Sequence, residues 1–278
     1  MRLGDSILDL SHPRVMAIVN VTDDSFYRGS HNISEQQLLQ RVSCAIKEGA
    51  EIIDIGGYSS RPAAQDVPLE QEWMRVERGL RAVRAVSESV AVSVDTFRAE
   101  VARRVLDSFG AVIINDISAG EADVQMIDVV AKYGVPYVAM HMRGTPATMQ
   151  QMTDYPEGVV EEVCCYLEQK VKALQEQGVE QVILDPGFGF AKSLEQNYEL
   201  LAGMHRLCGM GYPVLAGLSR KSMIYKALDI APDDALNGTT ALNWEALRQG
   251  AKILRVHDVK EAREVVKLFE QYKKWALH

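Results

Sequence analysis

The hydrophobic residues of this chain form eight short runs, and each run ends in a polar residue. The runs lie at residues 15–20, 52–54, 92–95, 112–115, 136–141, 182–185, 213–219 and 253–257. The segments between them are long enough for an amphipathic helix with a loop on either side. The runs are rich in valine and isoleucine and show little alternation, which is typical of parallel strands covered on both faces. This pattern predicts a (β/α)8 TIM barrel, whose active-site residues lie at the carboxyl ends of the strands.

Local signals predict where several of these elements begin and end. Ser34 is a suitable N-cap for the first helix, and Gly49 is a suitable residue to end it. The sixth helix is expected to run through residues 194–208, and a short extra helix is expected near residues 223–227. Residues 3–12 precede the first strand, and we expect them to cap the bottom of the barrel.

Composition agrees with one globular α/β protein. The chain has 278 residues, of which 47% are hydrophobic, and a single α/β barrel takes about 250 residues. No proline- or serine-rich linker divides it, so we expect one domain over residues 1–278. No apolar stretch approaches the roughly 20 residues of a membrane span. The N-terminus does not resemble a signal peptide, and the four cysteines form no CxxC pair, which predicts a cytoplasmic protein with reduced thiols.

The net charge of −8 disfavours nucleic acid as the main partner, because binding to a phosphate backbone requires a basic face. A small anionic ligand needs only a local cluster of basic residues. The sequence therefore favours small molecules as the substrates.

Three acidic or amide side chains close the third, fourth and sixth strands, namely Asp95, Asn115 and Asp185. In a barrel they would point to the centre of the top face. Two carboxylates and an amide fit recognition of a flat heterocycle, since a carboxylate accepts two parallel N–H bonds from an amino-substituted ring. The alternative is that some of them only cap the next helix.

Basic residues follow the last two strands, namely Lys221, Arg255 and His257. TIM barrels often bind phosphate in these loops, and a short helix after residues 219–222 would add backbone N–H donors. The sequence therefore predicts an anion site here. The alternative is that Arg220 and Arg255 are solvated or pair with acids such as Asp258.

Metal ligation is expected at the end of the first strand. Asn20 offers a neutral oxygen that suits Mg²⁺ beside a diphosphate, and Asp24 is a second candidate. His141 and Arg143 follow the fifth strand, but the zinc ligands that a His site requires are not nearby.

The loop at residues 185–190 reads Asp-Pro-Gly-Phe-Gly-Phe. It does not match the GxGxxG fingerprint of a dinucleotide site. Its glycines permit a tight turn, and we expect Phe188 and Phe190 to form an apolar wall for a ligand, although core packing would explain one of them.

Seven segments of the chain together resemble the signature blocks of the dihydropteroate synthase family. They are Asn-Val-Thr-Asp-Asp-Ser-Phe at 20–26, Ser-Arg-Pro at 60–62, Ser-Val-Asp-Thr at 93–96, Ile-Asn-Asp-Ile at 114–117, Asp-Pro-Gly-Phe-Gly-Phe at 185–190, Ser-Arg-Lys-Ser at 219–222 and Arg-Val-His-Asp-Val at 255–259. The resemblance covers nearly the whole chain in the family's order. It implies a homodimeric transferase of folate biosynthesis that joins 4-aminobenzoate to a dihydropterin methyl diphosphate, releases diphosphate and is a target of sulfonamides.

The resemblance also implies roles for individual residues. The pterin would be held by Asp95, Asn115, Met140, Asp185, Phe190, Gly217, Lys221 and Arg255. The 4-aminobenzoate would be covered by Phe26, Ser60, Arg61, Pro62, Phe188 and Ser219. The diphosphate would be bound by Asn20, Arg61, Arg255 and His257, with Mg²⁺ on Asn20 and Asp24. The catalytic set would be Asp95, Asp185, Lys221, Arg255 and His257.

The chain departs from the family pattern in three loops. Asp23 stands where proline is usual, Ala63 replaces a glycine, and Ala191 replaces a common glycine. These changes concern the arylamine side, so pterin binding is the firmer expectation. Two other functions stay open, namely a pterin-dependent corrinoid methyltransferase and a catalytically silent pterin-binding barrel.

Overall fold

The computed structural model describes residues 1–22, 34–58 and 66–276. The predictions for Asp24, Phe26, Ser60, Arg61 and Pro62 lie outside the described residues. Eight parallel strands form the centre of the fold. They are β1 (Arg14–Asn20), β2 (Ile52–Gly56), β3 (Ala91–Asp95), β4 (Ile113–Asp116), β5 (Tyr137–Met140), β6 (Val182–Asp185), β7 (Leu215–Ala216) and β8 (Ile253–Val256).

The strands follow one another around the sheet in chain order. The sheet runs from β6 through β5, β4, β3, β2 and β1 to β8 and β7, with every pair parallel. A parallel bridge between Leu184 and Val214 joins the two ends, so the barrel is nearly closed. The prediction of a TIM barrel is confirmed.

Ten α-helices of the described residues surround the strands. They are α1 (Glu35–Glu48), α2 (Leu69–Val86), α3 (Ala99–Phe109), α4 (Gln125–Tyr133), α5 (Val159–Glu176), α6 (Leu194–Ala202), α7 (His205–Cys208), α8 (Ser222–Leu228), α9 (Leu236–Gln249) and α10 (Val259–Ala276). None of these helices is long and apolar enough to cross a membrane.

The predicted ends of the first helix are confirmed. The Ser34 hydroxyl accepts a hydrogen bond from the Gln37 backbone N–H, and the Gln37 side chain accepts one from the Ser34 N–H in return. This capping box satisfies two donors that the first turn leaves open. Gly49 ends the helix in the left-handed conformation, with φ of 104°.

The prediction of one helix over residues 194–208 is wrong, because the helix breaks at Gly203 into α6 and α7. A Cβ atom at this position would lie 2.7 Å from the Val160 side chain. The glycine therefore permits close packing against α5, and that contact is not visible in the hydrophobic period of one helix.

One residue from each of seven strands fills the lower interior of the barrel. These residues are Met16, Ile52, Ile113, Val138, Ile183, Leu215 and Ile253. Because side chains of a strand alternate between its two faces, the residue two positions later also faces inward, one layer nearer the carboxyl ends. On six of these strands that residue is Asp54, Asn115, Met140, Asp185, Gly217 and Arg255. The alternation thus places a polar layer, formed by the side chains of Asp54, Asn115, Asp185 and Arg255, directly above an apolar one.

The prediction that residues 3–12 cap the bottom of the barrel is confirmed. Two short strands, Arg2–Leu3 and Ser6–Ile7, form an antiparallel hairpin. Leu8 follows it, is 8% exposed and packs within the interior cluster, with Leu3 and Leu10 packed against it. The hairpin thus covers apolar side chains that the open end of the barrel would expose to water.

We expect Leu8→Ala to lower the free energy of unfolding by about 2–3 kcal/mol, the usual cost of a buried leucine truncation. Its neighbour Ile7 is 78% exposed, so Ile7→Ala should change the free energy of unfolding by less than about 0.5 kcal/mol. Urea unfolding of both variants measures the difference. Equal effects would contradict the packing of Leu8 in the cap.

Candidate functional site

Arg255 lies at the centre of an ion-pair network in the mouth of the barrel. Its Nε donates to Asp54 Oδ2 over 2.7 Å, and its Nη2 donates to Asp95 Oδ2 over 2.6 Å. Asn115 Nδ2 lies 3.3 Å from the same Asp54 oxygen. Strands β8, β2, β3 and β4 thus contribute one member each. The structure brings together three residues that the sequence predicted for the site, and a fourth that it did not.

Asp54 is the residue that the sequence analysis missed. Its side chain is fully buried, whereas those of Arg255 and Asp95 are about one-fifth exposed. The run at residues 52–54 ends in Asp54, but the sequence analysis assigns this residue no role. Its position two residues after the interior residue Ile52 indicates that its side chain also faces the inside of the barrel, and this was the signal that could have identified it.

Burial and charge oppose each other in this network. Burial raises the pKa of Asp95 to about 7, even though the neighbouring charge of Arg255 lowers it. Burial likewise raises the pKa of Asp185, against the lowering effect of Lys221. Burial lowers the pKa of Lys221 to about 8, whereas the charge of Asp185 raises it. Perturbed pKa values of this kind are concentrated at functional sites.

The loop after β6 contacts both Asp185 and Lys221, which lie at the same end of the barrel. Asp185 Oδ1 accepts a hydrogen bond from the Gly187 N–H over 2.7 Å. Lys221 Nζ donates to the Phe188 carbonyl and lies 4.7 Å from the centre of the Phe190 ring. The lysine therefore contacts both the backbone and an aromatic side chain of this loop.

The two phenylalanines that were predicted to form a ligand wall, Phe188 and Phe190, pack in different apolar clusters. The Phe188 side chain is fully buried and belongs to the core between the strands and the helices. Phe190 is half-buried and packs against a separate apolar cluster at the top of the barrel. That cluster consists of Ile117, Met140, Met142, Met149 and Ala191.

Gly217 leaves space at the end of β7. A Cβ atom built there would meet only Leu215 Cδ2, at 4.0 Å. Met140 is 3% exposed and belongs to the apolar cluster against which the half-buried Phe190 packs. Polar groups, apolar side chains and an open position thus lie at one end of the barrel, as a ring-shaped ligand with polar edges requires.

The residues predicted to bind an anion lie in the last two loops, but they are already engaged. Ser219 Oγ accepts a hydrogen bond from the His257 N–H over 3.1 Å and lies 3.0 Å from its Nδ1. The His257 side chain is exposed, whereas Ser219 is 5% exposed. These two residues couple the loops after β7 and β8.

The alternative in which basic residues pair with acids is confirmed for two arginines. Arg220 makes a two-pronged pair with Asp258, from Nη2 to Oδ1 over 2.6 Å and from Nε to Oδ2 over 3.0 Å. Arg255 pairs with Asp54 and Asp95 as described above. Arg220 therefore joins two loops to each other.

Asn20 fits the predicted magnesium site in its chemistry and its position. A Cβ atom at Gly56 would lie 2.9 Å from Asn20 Oδ1 and 3.7 Å from Asp95 Cβ, so the glycine leaves room for the amide oxygen beside Asp95. Neutral and carboxylate oxygens are ligands that Mg²⁺ accepts together with substrate phosphates. Among the described residues no three His, Cys, Asp or Glu side chains converge as a metal site.

Comparison with known proteins shows the family. The family model described as "Pterin binding enzyme" matches residues 16–257. The dihydropteroate synthase of Escherichia coli K12 is 42% identical over 267 residues, which cover 95% of this chain and 93% of that protein. The chain belongs to the dihydropteroate synthase family. The resemblance seen in the sequence is thereby confirmed.

Solved structures of this family superpose on nearly the whole chain. A Yersinia pestis dihydropteroate synthase with a sulfonamide drug complex has a TM-score of 0.91 at 37% identity and covers 99% of both chains. The Xanthomonas albilineans dihydropteroate synthase with 4-aminobenzoic acid has a TM-score of 0.88 at 38% identity, covering 96% of this chain and 95% of that one. The same Xanthomonas enzyme has also been solved in complex with 7,8-dihydropteroate.

We expect Asp54→Asn to lower the free energy of unfolding by about 2–4 kcal/mol, because it removes one charge of a buried ion pair and leaves Arg255 under-compensated. Asp233 offers the matched control, since its side chain is 95% exposed and its pair with Arg220 is 3.4 Å long. Asp233→Asn should cost less than about 1 kcal/mol. Urea unfolding compares the two, and an equal cost would refute a structural role for the buried pair.

Proposed function

We propose that this chain condenses 4-aminobenzoate with (7,8-dihydropterin-6-yl)methyl diphosphate, giving 7,8-dihydropteroate and diphosphate. The observation that carries the proposal is the convergence of Asp95, Asn115, Asp185 and Arg255 at the mouth of the barrel, where Arg255 pairs with Asp95 and its charge also lowers the pKa of Asp185, which burial raises. Relatives with the same fold bind 4-aminobenzoate, dihydropteroate and a sulfonamide drug. We therefore also propose that sulfonamides compete with 4-aminobenzoate here.

The pterin is proposed to lie between the polar layer and the apolar cluster. The carboxylates of Asp95 and Asp185 and the amide of Asn115 match the donors and acceptors on a pterin edge, and charge-assisted hydrogen bonds of this kind are the strong ones. Met140 and Phe190 provide an apolar face, and Gly217 leaves room for the ring. Lys221 lies close to the same loop.

The diphosphate is proposed to lie toward Asn20, Arg255 and His257. Mg²⁺ bound through Asn20, with Asp24 as a second candidate ligand, would supply Lewis-acid stabilisation of the leaving group. His257 is exposed at the end of β8 and is oriented by Ser219, so it can reach an anion in solution. Arg255 adds a positive charge next to the same opening.

The substitution is proposed to be dissociative. As the diphosphate leaves, positive charge develops on the pterin methylene, and the carboxylates of Asp95 and Asp185 stabilise it. The arylamine nitrogen of 4-aminobenzoate is already nucleophilic at neutral pH, so its attack requires no strong base. The roles of Phe26, Ser60, Arg61 and Pro62 at the arylamine stay predictions.

Assembly as a homodimer and a cytoplasmic location belong to the same proposal. Apolar side chains on the outer face of α10 are exposed, with Leu268 at 64%, Tyr272 at 52% and Trp275 at 78%. Large exposed apolar patches mark contact surfaces. The four cysteines are free thiols, as expected in a reducing compartment.

The test of the activity is diphosphate release in the presence of both substrates. We expect Asp185→Asn to reduce turnover by about 10- to 100-fold, since it weakens a charge-assisted interaction worth about 1.5–3 kcal/mol. Asp229→Asn makes the same chemical change at an exposed position and should leave turnover unchanged.

Unchanged turnover in Asp185→Asn would refute its role. An absence of diphosphate release by the unsubstituted protein would instead favour the corrinoid methyltransferase or the silent pterin-binding barrel, neither of which needs a diphosphate site.

We expect kcat/KM for the pterin diphosphate to be highest between about pH 7 and pH 8. The ionised form of Asp95 is needed to accept N–H bonds and is lost as the pH falls below its pKa of about 7. The charged form of Lys221 is lost as the pH rises above its pKa of about 8. Asp95→Asn cannot ionise, so its profile should lack the acidic decline. The same acidic decline in that variant would contradict the assignment.

Calorimetric titration of 4-aminobenzoate tests the order of binding. We expect heat of binding only when Mg²⁺, diphosphate and a pterin are present together, because the second site is proposed to form over the first. Omitting each component in turn provides the control. Equal affinity for 4-aminobenzoate without any of them would contradict ordered binding.

A further inference from the structure

Lys192 is a buried lysine that none of the roles above uses. It follows the loop after β6 and is 4% exposed. Its Nζ lies 2.9 Å from the Gly187 carbonyl oxygen, 2.9 Å from the Phe190 carbonyl oxygen and 3.0 Å from His141 Nδ1. Burial lowers the pKa of Lys192, and in the charged form its three N–H donors match these three contacts. A lysine is among the residues least often buried, and it requires such complete pairing.

Both carbonyls belong to the loop that carries the proposed pterin residues. The N–H of Gly187 donates to Asp185 Oδ1, while the carbonyl of Gly187 accepts from Lys192. This residue therefore connects the lysine to the proposed pterin carboxylate. The second carbonyl belongs to Phe190, whose ring is the proposed apolar face. Lys192 thus holds the loop at the two residues that set the positions of Asp185 and Phe190.

The loop leaves little room to move at Gly187. Its φ is +68°, a conformation that favours glycine, and an added Cβ would lie 2.0 Å from the His141 carbonyl oxygen. The backbone of the loop is therefore in close contact with the end of β5. A small displacement of this contact would alter the hydrogen bond from Gly187 to Asp185.

His141 completes the arrangement, because its Nδ1 lies 3.0 Å from Lys192 Nζ and accepts a hydrogen bond when the proton of the ring is on Nε2. It is 2% exposed, and burial, together with the charges of Lys192 and Arg143, lowers the pKa of His141 to about 2. The ring is thus neutral, and its proton lies on Nε2 when Nδ1 accepts. The His141 and Tyr166 rings pack in a T-shaped arrangement, with ring centres 4.9 Å apart, which holds the His141 ring in place.

We propose that Lys192, oriented by His141, is a positioning residue for the pterin, holding residues 185–190 so that Asp185 and Phe190 keep their binding geometry. The inference rests on the proposed assignment of Asp185 to the pterin. Lys192 contacts the Gly187 and Phe190 carbonyls and His141, which follows β5, whereas Lys221, which follows β7, contacts the Phe188 carbonyl.

The first test is Lys192→Met, which keeps the length of the side chain and removes its three donors. We expect the Kd for 6-hydroxymethyl-7,8-dihydropterin, measured by calorimetry on folded protein, to rise at least about tenfold. The KM for 4-aminobenzoate at saturating pterin should change less than about threefold. A folded variant with unchanged pterin affinity, even one with a lower Tm, would overturn the proposal.

The second test does not depend on the folding of that variant. His141→Asn places an amide oxygen near the position of Nδ1 and keeps an acceptor for Lys192, whereas His141→Leu has a similar size and no acceptor. We expect near-normal pterin affinity in the asparagine variant and a loss of about tenfold in the leucine variant. Equal affinities of the two would overturn the role of the Lys192–His141 contact.

Titration of the same pterin into Asp185→Asn tests the assignment of Asp185 to the pterin separately from the positioning role of Lys192. Weaker binding in Asp185→Asn combined with normal binding in Lys192→Met would leave the pterin site intact and refute the positioning role. Normal binding in Asp185→Asn would refute the pterin assignment, and the inference about Lys192 with it.

Discussion

The site depends on one buried ion-pair network, in which Arg255 is held between Asp54 and Asp95 in the mouth of the barrel. Bringing these charges out of water costs several kcal/mol per ion, and their mutual attraction offsets this cost only with close geometry. Apolar residues of the same size would fill the barrel at lower cost. The network is therefore better explained by the need for charged groups beside a polar ligand than by stability.

The loop after β6 shows a similar conflict between local preference and function. Ala191 adopts a left-handed conformation with φ of +51°, which explains why glycine is the residue common in the family at this position. A non-glycine residue there costs about 1–2 kcal/mol. The Cβ of Ala191 is fully buried in the apolar cluster with Met140 and Met149, and burying a methyl group returns about 0.8 kcal/mol. Alanine in place of glycine thus has a backbone cost that burial of its methyl group partly offsets, and the loop keeps its conformation.

Much of the architecture could be predicted because short-range physics decides it. The strands β5 and β8 and the capped helix α1 follow directly from apolar runs and from cap residues such as Ser34 and Gly49. The positions of Asp95, Asn115 and Asp185 at strand ends follow from the same runs. The predicted single domain over residues 1–278 and the residue roles at the arylamine stay predictions.

The sequence by itself determined which residues could occupy the carboxyl ends of the strands, since the period of a strand and the order of a TIM barrel are local and repetitive properties. Only the tertiary structure decided which of them meet. Asp54 forms an ion pair with Arg255, and Phe188 is buried in the core between the strands and the helices. The sixth helix divides at Gly203, and Lys192 contacts His141. Each of these outcomes depends on a contact between segments far apart in the chain, and no local pattern records which distant side chain completes a hydrogen bond or fills a space.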